Sequence, residues 1–298
     1  MNHAVDADHA RQVLDTHADR RATGPLEDPA VLAAVVGVER LVVATGSTDA
    51  QVLRAAVAGR PVPGADRERV AALVAEAVSH VVAGLIRRST GQTVDAGVVN
   101  PASGGYEITT DATLLRAAVR AAQGSIDAMP YYGIRYGERG SRFATTDSAW
   151  LISLATLAES RAVHQVQWLS RVLAARGMPT WLLEIHLDAL VSEVRSVADA
   201  SAAGSLPAAA DALAVARRRH VDDELIRSAD AWADEALGRD LPVPRTGALM
   251  AAAIADERAG VTRDDRALVD WLTAPERVET DVATRLLDVR RRLLTSAR

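Results

Sequence analysis

The chain has 298 residues, 49% of them hydrophobic and 24% charged, which is apolar material enough for one large domain or two ordinary ones. It has no cysteine, which excludes disulfides and thiolate metal sites, and its net charge of −5 argues against nucleic acid as a partner. No run approaches the roughly 18 uninterrupted apolar residues of a membrane-spanning helix, and the acidic start lacks a signal-peptide pattern, so a cytoplasmic protein without a membrane partner is expected.

Residues 1–27 read as a polar N-terminal tail, with His3, His9 and His17 spread irregularly among Asp and Arg. From Asp28 to Ala44 the chain is apolar and fits a helix, with a short strand competing through Val35, Val36, Val38 and the run Leu41–Val43. Thr48-Asp49-Ala50-Gln51 has the form of a capping box and predicts a helix ending near Gly59. After the loop at Pro61, Pro63 and Gly64, a helix to about Arg88 is predicted from Val70, Leu73, Val74, Ala77, Val78, Val81, Val82 and Leu85. Residues 89–108 show no periodicity, as functional loops and boundaries do.

Thr110-Asp111 predicts a helix start, with the helix running to about Gln123, and Thr145-Thr146-Asp147 predicts another, to about Glu159. Between them the stretch from Met129 to Phe143 reads as a loop rich in Tyr, Arg and Gly. The next two helices, Ser160–Ala175 and Trp181–Val197, are separated by Arg176-Gly177-Met178-Pro179. In that turn Gly177 is a helix stop, Pro179 prevents continuation and Thr180 is the next cap. Such a short connection predicts antiparallel neighbours.

A candidate boundary lies at Ala203-Gly204-Ser205. Beyond it a helix from Pro207 to Leu237, broken near His220, is followed by an extended Leu241–Pro244 link. Helices over 247–259, 263–272 and 275–294 complete the chain. The expected fold is all-α, a bundle of about ten helices in one body or two packed units. The expected domains are 1–27, 28–203 and 204–298.

Only ten residues are aromatic, and eight of them lie between Tyr106 and Trp181. All 34 basic residues are arginine, the mark of a GC-rich bacterial gene, so each strong cation is a planar guanidinium. The Tyr/Arg loop combines the two: Tyr131, Tyr132 and Tyr136 alternate with Arg135, Arg139 and Arg142. Glycines at 133, 137 and 140 allow tight turns. Guanidinium groups beside phenol faces suit carboxylates, phosphates and flat conjugated rings. These six residues and Trp168 form the candidate ligand site, for a small anionic or planar ligand.

His164 and His186 flank the Arg176–Pro179 turn, about 12 residues before it and about 7 after it, at 1.5 Å per residue. Those heights disfavour a shared metal, while either alone could ligate a haem or corrin metal axially. No Glu-x-x-His pair, Asp-Asp-x-x-Asp cluster, Gly-rich phosphate loop or Gly-x-Ser-x-Gly motif occurs, and no catalytic or metal-ligating set is assigned.

Arg142, Asp147, Trp150-Leu151, Leu154, Gln167-Trp168-Leu169, Val172-Leu173, Arg176-Gly177, Pro179, Leu183 and Leu187 form a further pattern. It resembles the helical module found before cobalamin-binding domains in some bacterial light sensors and regulators, over about residues 142–191. The Asp-x-His-x-x-Gly motif of the cobalamin domain is absent, so the resemblance implies only the helical half of such a sensor. The expected function is therefore a non-catalytic helical protein that senses a ligand or binds a partner. Tetrapyrrole or corrin binding through His164 or His186 is the second reading, and a purely structural interaction protein, a homo-oligomer included, the third.

Overall fold

The structure, a computed structural model, describes residues 45, 47, 49–57, 68, 71–72, 74–79, 82, 94–95, 105–109 and 111–297, with backbone alone at 57, 94–95, 112, 138–143 and 145–146. The N-terminal tail with its three histidines and the helix-or-strand segment 28–44 lie outside the described residues. The fold is all-α, a multi-helix bundle. Among the described residues the one strand pair, β1 (Val94–Asp95) against β2 (Glu107–Ile108), is two residues long and antiparallel. By contacts the chain divides into two units. The first lies within Met1–Ile126, Tyr132–Ser153 and Ser196–Ala198, and the second comprises Asp127–Tyr131, Leu154–Arg195 and Asp199–Arg298.

The first unit holds α1 (Ala50–Val57), the β1–β2 pair, α2 (Ala112–Ala128) and nearly all of α3 (Tyr131–Ser153). Two of its helices begin alike. The Asp49 carboxylate accepts from the backbone N–H of Gln51 and Val52, and Asp111 does the same for Thr113 and Leu114. Each satisfies donors that the first helical turn leaves without an intrahelical partner. Val74, Ala77 and Val78 are buried, at the spacing expected of one helix face.

The Tyr/Arg stretch differs from the expectation of a loop. It is helical from Tyr131 onward, and only Gly137, at φ 57 and ψ −155, departs from helical geometry. Gly137 breaks the stretch into two helical halves, while Gly133 and Gly140, tolerated inside a helix at modest cost, do not. The cap expected at Thr145-Thr146-Asp147 is likewise corrected: these residues are interior to α3.

The second unit holds α4 (Glu159–Ala174), α5 (Thr180–Val197), α6 (Leu206–Arg218), α7 (Asp223–Leu237), α8 (Thr246–Arg258), α9 (Arg266–Leu272) and α10 (Thr280–Ser296). Its axis is α8. Every residue from Thr246 to Asp256 is buried, and α6, α7, α9 and α10 all pack on it. A helix apolar on all sides has no solvent face to keep, which places it at the centre.

Gly247 sets how closely α7 and α8 meet: a Cβ there would stand 2.0 Å from the Ala229 carbonyl oxygen. Asp230 of α7 then accepts from the Ala248 N–H at 2.7 Å, capping α8 from a neighbouring helix, and pairs with Arg245. Arg245 itself adopts the left-handed conformation, φ 64, with its guanidinium 5.0 Å from the Trp181 ring centroid.

Gly177 is left-handed at φ 82, as a helix stop requires, and the Met178 N–H reaches back to the Leu173 carbonyl at 3.0 Å. The two helices it separates are not the antiparallel neighbours expected. α4 lies along α6 and not along α5, so the turn redirects the chain instead of closing a hairpin. Leu169 is buried on α4 and Trp168 half-buried. The break near His220 is found between α6 and α7. The last helix begins at Thr280, later than Pro275, because Ala274 to Val278 form a separate turn. Gly204 lies in the second unit, its backbone so near Ala155 that a Cβ would stand 1.9 Å from that carbonyl oxygen.

Candidate functional site

Pro130 leads directly into α3, and the spacing along that helix sorts its aromatic and cationic residues. Tyr132, Arg135 and Tyr136 stand three and four apart, hence on one face. All three are half-buried, and the Arg135 guanidinium carbon lies 5.3 Å from the Tyr136 ring centroid. That distance is within cation–π range. Burial raises the Tyr132 phenol above its ordinary range, and Tyr136 and Asp147 add to the rise. In a straight helix Asp147 would be about 22 Å from Tyr132; the break at Gly137 folds the two halves of α3 so that the carboxylate comes within electrostatic reach. Gly133 and Gly137 face open space, and Ile134 beside them is 47% exposed. Arg139 and Arg142 follow the break on the same helix.

Tyr131 belongs to the second unit. It is fully buried, its hydroxyl donates to the Gly177 carbonyl, and its ring meets Trp271 edge-on at 5.5 Å. Its role there is to hold the turn after α4. Of the other candidates, Trp168 and the exposed His164 lie on α4, while His186 is buried on α5. Burial lowers His186 to about 4, so its imidazole is neutral at physiological pH. Among the described residues no three His, Asp or Glu side chains are grouped to hold a metal ion.

Sequence reasoning missed the most concentrated polar chemistry of the second unit. On α5, Thr180 and Glu184 are one turn apart and both buried. The Glu184 carboxylate receives the Nε of Arg217, from α6, at 3.0 and 3.1 Å. Arg217 also donates to the Val221 carbonyl at 2.9 Å and to Asp223 at 2.6 Å, so one guanidinium fixes α5, α6 and the start of α7. Burial pushes the Glu184 carboxyl up to about 7, against the pull of Arg217. Asp256 of α8 accepts the Thr180 N–H at 2.8 Å and so caps α5; it too is pushed up by burial, to about 7.

A hollow beside Asp256 has about 10 Å³ of room for water centres, about one water molecule, and is lined by Gly177, Pro179, Thr262, Asp264 and Asp265 among others. The only sequence signal for this cluster was the pair of polar residues one turn apart on an apolar helix. The Arg217-Arg218-Arg219 run reads as a solvated helix end. Compared with known proteins, the chain matches no family model, no curated protein and no solved structure.

Proposed function

We propose that the protein is a non-catalytic helical protein that binds a small anionic or planar ligand on the Tyr/Arg face of α3. The observation that carries this reading is Arg135 stacked on Tyr136 beside two glycines that face open space. A guanidinium on a phenol face offers a flat apolar wall together with forked donors, the combination that small-molecule sites use to orient a ligand. Arg139 and Arg142 follow in the chain beyond the break at Gly137. The polar groups of the second unit support a division of labour, since Glu184, Arg217 and Asp256 are engaged in joining helices.

The test is a fluorescence titration with anilinonaphthalene sulfonate, a planar anion. The parent should bind it saturably. Arg135→Ala combined with Arg139→Ala should abolish binding while moving the melting temperature of the empty protein by only a few degrees, about the effect of surface changes. If the double change instead unfolds the protein, the arginines are structural and the site is not on this face. Visible absorbance of the purified protein would favour the tetrapyrrole or corrin reading through His164 or His186.

A further inference from the structure

Asp256, in the last turn of α8, has 4% of its surface exposed, and its carboxylate is bonded by Thr180, through the N–H at 2.8 Å. Three carboxylates near it are already paired with arginines. From α5, Glu184 is paired with Arg217 of α6; from α7, Asp223 is paired with Arg217 and Arg218. Asp265, before α9, is paired through two bonds with Arg290 of α10. Asp264 lines the adjacent hollow, and its side chain accepts from the Arg266 N–H. His186, also on α5, is neutral. Asp256, by contrast, has no ion-pair partner among the described residues. One N–H does not replace the hydration that an isolated carboxylate loses on burial.

We propose that Asp256 is a proton-binding site that makes the α5–α8 joint respond to pH, neutral at the lower end of the physiological range and an unmatched buried anion at the upper end. The hollow beside it supplies room for the water that exchanges the proton. Burial, the largest influence, raises this carboxyl from 3.8 to about 7; the Thr180 N–H and hydroxyl and the charge of Arg217 pull it down, and the charge of Glu184 adds to the rise. Because the folded value lies above the unfolded one, the folded chain keeps a proton that the unfolded chain has released. That share of stability is complete below about pH 4 and is lost as pH rises through about 7.

The experiment is chemical denaturation of the full chain at several pH values, comparing the parent with Asp256→Asn and Glu184→Gln. Asn keeps an acceptor for the Thr180 N–H and removes the proton. Release of the Asp256 proton makes the unfolding constant rise about a hundredfold between pH 5 and 8, and Glu184, which burial also raises to about 7, adds a rise of its own. Asp256→Asn should remove the share of Asp256 and leave that of Glu184, Glu184→Gln should keep the share of Asp256, and the two changes together should abolish the rise. Parallel profiles for the parent and Asp256→Asn, or loss of the rise in Glu184→Gln alone, would overturn the assignment. Should Asp256→Asn fail to fold, infrared spectroscopy of Glu184→Gln, which lacks the other raised carboxyl, still decides. A protonated-carboxyl C=O band present at about pH 6 and gone at about pH 8.5 supports the proposal, and its absence at the lower pH refutes it.

Discussion

Two glycines of the second unit show that a glycine can be required for different reasons. Gly247 has ordinary helical geometry, yet a methyl group there would run into the Ala229 carbonyl and the Asp230 nitrogen, both backbone atoms of α7. Backbone cannot step aside as a side-chain tip can, so Gly247→Ala must push α7 off the central helix. A loss of at least about 3 kcal/mol is expected in the denaturation midpoint. Gly260 is the reverse case, with φ +70 and open space around it. Gly260→Ala should cost about 1 kcal/mol through conformation alone. Equal losses at the two sites would show that the close approach of α7 and α8 is not what Gly247 provides.

At the scale of helices, the second unit is joined by polar side chains that reach from one element to the terminus of another. Asp230 caps α8, Asp256 caps α5, and Arg258 donates to the last carbonyls of α10 at 2.7 Å. Arg217 is the most heavily engaged of these side chains, and its pairing with Glu184 is almost wholly buried. Removing one partner strands the other charge away from water, so Arg217→Met should cost about 3–5 kcal/mol. Changing both, with Glu184→Leu added, should recover most of that loss, because a well-packed apolar pair rivals a buried ion pair. A double-mutant cycle with purely additive losses would mean the two residues act independently.

Over the whole molecule, what could be read from the chain was whatever depends on neighbours in sequence. The helix starts at Asp49 and Asp111 and the stop at Gly177 are each determined within a few residues, and the pattern marked each to within a residue. The face formed by Tyr132, Arg135 and Tyr136 could be singled out by composition, but its helical setting could not. Three glycines argue for a loop, and only packing reveals that Gly137 alone breaks the helix. The centrality of α8 was hidden for the opposite reason. A helix of Ala, Leu, Met and Ile has no polar stripe to say which way it faces. Asp256 was illegible because its partner, Thr180, is 76 residues away.

The ion pairs of this protein also set its behaviour in alkali. With no lysine in the chain, every strong cation is a guanidinium that stays charged far beyond the range in which ammonium groups let go. The pairs at Glu184, Asp230 and Asp265 therefore persist into strongly basic solution, and failure there falls to another group, the phenol of Tyr132. Its folded value lies above the unfolded 10, so its contribution is intact up to about pH 10 and drains away as pH climbs further. Alkaline unfolding of the first unit should then coincide with the ultraviolet signature of phenolate. Tyr132→Phe should shift that transition to higher pH, whereas an unchanged transition would assign the alkaline limit to a different residue.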